Sequence, residues 1–205
     1  RRVSVMGEYE RGDYDDPFTL IAPTSMDRVK ARVRFMPGNG LTVTGAFLTR
    51  RIENDLAGPV HPTEPRTGDP ATLRNTSFTA HAAYSGEPVS VFGSYTRQEV
   101  SNEITNVLNG FRTFATLYHS DLDRGAGGVT VGVTDGVKVG TDLSAYRNRG
   151  SFGLDWEQYR VFTELLSPAG YVVNLSYRYN ALDESLFDFD DYSAHIAEVS
   201  IGYRF

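Results

Sequence analysis

The feature that most limits what this chain can fold into is an apolar/polar alternation with period two, sustained over long stretches, with helical periodicity nearly absent. In 27–36, Val29, Ala31, Val33 and Phe35 fall on one face, and Arg28, Lys30, Arg32 and Arg34 on the other. After Pro37-Gly38-Asn39-Gly40, a turn built from fixed and positive φ residues, the alternation resumes with Leu41, Val43, Gly45 and Phe47. The same unit recurs around Gly86-Glu87-Pro88, Thr134-Asp135-Gly136 and Ser167-Pro168-Ala169-Gly170. With one further strand near 1–12 and another near 192–205, this pattern predicts about ten strands. Connections alternate in length: the turns just named are tight, whereas 13–26, 55–75, 102–125, 148–155 and 183–191 read as mostly long, polar loops. No linker or composition shift divides 1–205, so the chain reads as a single domain.

Alternation alone does not separate a soluble sandwich from a membrane barrel, because each has one apolar face per strand. The mildly negative mean hydropathy points to a soluble chain only if membrane segments must be continuously apolar. Three features favour the barrel. The predicted strands run about 10–14 residues, against the ~9–11 that cross a bilayer obliquely and the ~5–6 usual in globular sheets. Short and long connections alternate, as in bacterial outer-membrane barrels. Aromatics on the apolar face gather toward strand ends: Phe35, Tyr84, Tyr171, Tyr203 and Phe205 near the tight turns, and Tyr9, Tyr95, Tyr159, Tyr177 and Tyr179 toward the long loops. Amphipathic rings settle at headgroup level, so two such belts suit a lipid-facing surface. The fold class expected is therefore an all-β, antiparallel transmembrane β-barrel in the bacterial outer membrane.

Several function classes are disfavoured. Lys and Arg number 20 against 26 Asp and Glu, a formal net charge of −6, which argues against a nucleic-acid partner. The absence of cysteine removes thiol chemistry and covalent haem attachment, so no cofactor is expected in this chain. No metal-binding His pair, nucleophile elbow, phosphate loop or dinucleotide fingerprint is present. Outer-membrane proteases use paired Asp with an Asp/His couple at the barrel rim, which draws attention to Asp190, Asp191 and His195. The parity of His195 matches Val199, Ile201 and Phe205, so it points outward, and no enzyme is expected. The acidic run Asp183, Glu184, Asp188, Asp190 and Asp191, like Asp13, Asp15 and Asp16, is read as a solvated loop. Asp188, Asp190 and Asp191 are the weak candidates for an oxygen-ligated cation.

The charged residues of the polar face are the principal candidate site. Arg28, Lys30, Arg32 and Arg34 form a cationic ladder, and the same parity collects Glu8, Glu10, Asp142, Arg160, Glu164, Arg178, Glu198 and Arg204. In a lumen, such a ladder sets ion selectivity or docks an acidic partner. The simpler expectation is that neighbouring opposite charges pair and only satisfy the polar lining.

The chain closes on Val199-Ser200-Ile201-Gly202-Tyr203-Arg204-Phe205. An alternating strand that stops on Phe205, with Tyr203 two before it, resembles the terminal strand by which Gram-negative outer-membrane barrels are recognised for assembly. The stretches Arg28 to Thr44, Ser94-Tyr95-Thr96-Arg97-Gln98-Glu99, Leu175-Ser176-Tyr177-Arg178-Tyr179 and Phe187 to Ala194 resemble the C-terminal part of the MtrB/PioB-type barrels, the porin partners of multihaem cytochromes. Those barrels are much larger, and ten strands close only a narrow one. The resemblance implies the C-terminal part of a larger barrel, serving as a sheath around a periplasmic multihaem c-type cytochrome in electron transfer. The alternatives are a complete small barrel acting through its external loops, as an adhesin or a rim protease, and a general diffusion porin.

Overall fold

The structure is a computed structural model and describes residues 2–14, 23–54, 71–108, 111–185 and 191–203. Ten antiparallel strands form one sheet in strict sequence order: β1 Val3–Asp13, β2 Ser25–Gly38, β3 Leu41–Asn54, β4 Ala71–Ser85, β5 Val89–Leu108, β6 Phe111–Thr134, β7 Val137–Arg149, β8 Gly153–Leu166, β9 Tyr171–Glu184 and β10 Tyr192–Tyr203. The sheet is open: β1 pairs only with β2, and β10 only with β9.

Three of the four tight turns are tied sideways into the next hairpin. Gly40 O accepts from Ser85 N at 3.0 Å, Pro88 O from Gly132 N at 2.8 Å, and Gly136 O from Leu166 N at 2.6 Å. The first of these turns depends on backbone that other residues avoid. Asn39 and Gly40 have φ of 53° and 77°, and a Cβ on Gly40 would collide with the Ser85 carbonyl oxygen.

Two loop expectations are corrected. Residues 102–125, expected to be a long polar loop, lie almost wholly within β5 and β6, which pair from Val89↔Val131 to Leu108↔Phe111. Thr, Val, Ile and Phe along 104–114 favour extended backbone, and Asn109-Gly110 is the strongest short-range hairpin signal a sequence can carry. Residues 148–155 contain only a three-residue connection, 150–152. Asn148 organises it: Nδ2 donates to Phe152 O at 2.8 Å, while Oδ1 accepts from Ser120 Oγ at 3.1 Å and Gly150 N at 3.2 Å. β4 also begins five residues earlier than the expected 76.

Among the described residues no hydrophobic side chain is buried. One sheet with two open faces has no second layer against which to form a core. Val5 on one edge strand is 73% exposed and Ile201 on the other 74%.

The turn geometry generates a prediction. Gly40→Val should destabilise the fold by at least about 1 kcal/mol, because a β-branched residue at this φ is strained and meets Ser85. Gly45→Ala, where a Cβ meets nothing within 4 Å, should stay within about 0.5 kcal/mol. Equilibrium urea unfolding of the two variants measures both.

Candidate functional site

Strand pairing assigns every described side chain to one of two faces, because facing residues in an antiparallel ladder share a side. One continuous row runs Val3↔Phe35↔Val43↔Ala82↔Gly93↔Gly127↔Leu143↔Tyr159↔Tyr179↔His195. This is the apolar face. It carries most of the exposed large hydrophobics, including Val33, Phe47, Phe78, Val161, Leu175 and Val199.

The apolar residues form a band whose two margins cross the hydrogen-bonded rows obliquely. At the tight-turn end the margin runs from Val3 and Phe35 through Tyr84 to Tyr171 and Tyr203. At the other end it runs from Tyr9 through Phe47, Phe78 and Tyr95 to Tyr159, Tyr179 and His195. The row that begins at Val3, on the lower margin, thus reaches His195, on the upper margin and roughly eight residues from Tyr203. Eight residues of ~3.3 Å over nine strand spacings of ~4.8 Å correspond to a strand tilt of roughly 30°, close to the ~35–45° of outer-membrane barrels. Along a strand the band is six to eight steps deep, about 20–27 Å, comparable with the ~25 Å apolar belt of such barrels.

Both margins are aromatic. Tyr171 and Tyr203 meet edge-on at 5.1 Å, while Tyr159 and Tyr179 stack at 6.4 Å, with the His195 ring 5.0 Å from Tyr179. His195 Nδ1 also lies 2.6 Å from the Tyr177 hydroxyl. His195 therefore belongs to the apolar face and its aromatic rim.

Beyond the second margin the same face becomes charged within one or two alternate positions. Thr49 and Thr76 hydroxyls meet at 3.3 Å, and Arg51 and Arg74 follow. Arg97 pairs with Asp121 at 3.1 Å and Asp123 at 3.8 Å, and Arg147 pairs with Asp155 at 3.0 Å. Tyr95, on the margin, donates to Asp123. This crown was not anticipated from the sequence, since reading 102–125 and 148–155 as loops removed its parity. The β5–β6 hairpin continues past Tyr95 for 13 residues to Leu108, roughly 43 Å along the strand.

The opposite face carries the candidate residues. Pairing places Glu8, Arg28, Lys30, Arg32, Arg34, Glu164, Arg178 and Glu198 together on it, with Glu10, Asp142 and Arg160. It is divided. Arg28 pairs with Glu8 at 2.7 Å and with Glu10, and Lys30 reaches Glu8 at 3.7 Å. On β7–β10, Arg160 holds Asp142 at 2.7 Å, Lys138 holds Glu164 at 3.7 Å, and Arg178 holds Glu198 at 3.8 Å. Arg32 and Arg34 have no carboxylate partner among the described residues, and neither has Arg50, which faces Arg28 across β2–β3. Arg50 is hidden in the sequence because the alternation breaks at the consecutive Arg50-Arg51, where period alone assigns no face.

Of the residues expected to form an assembly signal, Tyr203 is described and sits on the tight-turn aromatic margin; Phe205 and Arg204 lie outside the described residues. So do Asp188 and Asp190, and Asp15 and Asp16. Asp191 accepts from Glu184 N at 2.7 Å, and Asp13 pairs with Arg11 at 3.1 Å. No group of three potential metal ligands occurs among the described residues. Among the described residues no helix is long and apolar enough to cross a membrane.

No protein-family model matches the chain, and no curated protein matches it.

The divided charge pattern generates a prediction. Arg160→Ala should cost about 1 kcal/mol, because it leaves Asp142, whose side chain is only 19% exposed, without its partner. Arg32→Ala, which breaks no pair, should fall within about 0.5 kcal/mol. Denaturant midpoints distinguish the two.

Proposed function

We propose that this chain forms the wall of a bacterial outer-membrane β-barrel, with its apolar face in lipid and its polar face lining the lumen. The observation that carries this reading is the oblique apolar band. A partner protein covering a soluble sheet has no reason to require two parallel aromatic margins inclined to the strands, whereas a bilayer requires both, because its two interfaces are flat and barrel strands are tilted.

Closure follows from the same setting. Unpaired strand edges do not persist in hydrocarbon, so β1 and β10 must each gain a neighbour. Direct closure of ten strands at this tilt would bring the Glu8 and Glu10 side of the polar face toward Glu198, setting like charges against one another. Additional strands between those edges avoid this and give a wider barrel with room for an occupant. For that occupant we adopt a periplasmic multihaem c-type cytochrome, which rests on the resemblance to MtrB/PioB-type barrels. In this role the chain is a sheath that insulates an electron path and binds no haem itself. A general diffusion porin shares the wall but leaves the lumen open.

Two experiments test this reading. Val33→Arg, in the middle of the apolar band, should cost about 2–4 kcal/mol in folding into phospholipid vesicles, and Arg32→Val much less; equal tolerance would reverse the assignment of faces. Affinity-tagged protein extracted from outer membranes in mild detergent should carry haem absorbance in stoichiometric amount. A haem-free barrel that conducts ions freely would favour the diffusion porin.

A further inference from the structure

The polar face is electrostatically asymmetric in a way the barrel reading does not require. Every described cation on this face from β7 to β10, namely Lys138, Arg160 and Arg178, is matched to a carboxylate. From β1 to β6 the only described acids on this face are Glu8 and Glu10, and Arg28 and Lys30 already engage them. Toward the tight turns, the neighbours of Arg32 are Met6, Ala46 and then Thr79, and those of Arg34 are Ser4, Thr44 and then His81.

Two further observations show that this side of the sheet is shaped as well as charged. A shallow, largely apolar depression of about 210 Å³ opens beside the small Ala46, with Lys30 and Arg32 among its lining residues next to Met6, Phe47 and Leu48. The Nε atoms of Arg28 and Arg50, and of Arg178 in the paired sector, are out of solvent contact and have no hydrogen-bond acceptor. What sets β2–β3 apart is that Arg32, Arg34 and Arg50 face no carboxylate across the strands, and guanidinium donors left without acceptors favour an anion that supplies them.

We propose that the polar face over β2–β4 is a binding and selectivity site for small oxyanions and other anionic solutes, centred on Arg32, Arg34 and Arg50. It biases the lumen toward anions, while the paired charges of β7–β10 leave the other side nearly indifferent to sign. A ring or strip of fixed cations raises the local anion concentration and depresses that of cations. This inference rests on the reading of the polar face as the lumen lining, and it requires water and small ions to reach β2–β4 beside any occupant.

The cysteine-free sequence permits a direct test in the full chain inserted into phosphatidylcholine vesicles. Single cysteines replace Ala46, opposite Arg32, and Ser176, at the same distance from its tight turn but in the paired sector. Each is modified with anionic and with cationic methanethiosulfonate reagents of similar size. The anionic-to-cationic rate ratio should be about fivefold higher at Ala46→Cys than at Ser176→Cys in 0.1 M salt, the scale set by a few unit charges at ~8–10 Å with a ~10 Å screening length. Arg32→Gln with Arg34→Gln should bring the two ratios together, and inorganic phosphate should slow modification at Ala46→Cys alone. Equal ratios at both positions in the unmodified background would overturn the anion site while leaving the lumen intact. Failure of both cysteines to react with either reagent would overturn the lumen and the site together.

Discussion

Everything in this structure depends on one condition: the backbone is saturated by strand pairing while the side chains have no interior of their own. Ten strands bond to their sequence neighbours, yet no described hydrophobic side chain is buried. Burying one Val, Leu or Phe stabilises by roughly 1.5–3 kcal/mol, and the apolar face offers many such residues. An aqueous sheet of this kind forgoes that term on one whole side. In a bilayer the same face becomes the favourable one, and the polar face is free to carry ion pairs and unpaired arginines.

Much of this was legible in the sequence, for reasons of geometry. Side chains alternate across a strand with period two, so Val29, Ala31, Val33 and Phe35 declared their common face before any pairing was known. The facing of Glu8, Arg28 and Glu198 followed from the same parity. Period says nothing of register, however. Whether Arg34 meets a carboxylate depends on its neighbours being Ser4 and Thr44, and the tilt of the apolar band appears only when ten strands are aligned. Polar composition misled at 102–125 and 148–155, where strands rise beyond the band and the face that was apolar carries charges such as Asp121, Asp123 and Asp155. There Asn109-Gly110, and an Asn148 able to bond the backbone of a short loop, were the informative signals.

The two faces divide the proposed roles. The apolar face and its aromatic margins fix how the wall sits, while the charged crown and the long β5–β6 hairpin stand beyond it on the long-loop side. On the proposed reading, recognition of anything in the lumen falls to the polar face, where Arg32, Arg34 and Arg50 on β2–β3 are unpaired and the cations of β7–β10 are matched to carboxylates. The identity of a cytochrome occupant comes from resemblance; the sign and position of the lumen charge come from the residues themselves.

The most direct test of the central claim is a nitroxide scan along β9, placing single cysteines from Tyr171 to Asp183 in the protein reconstituted in phospholipid vesicles. Accessibility to oxygen should peak at the odd positions from 171 to 179 and fall at the even ones. Accessibility to a water-soluble nickel complex should show the reverse, then rise at odd positions from Ala181 onward, where the apolar band ends. Uniform accessibility to the nickel complex at odd and even positions alike would contradict a lipid-facing sheet.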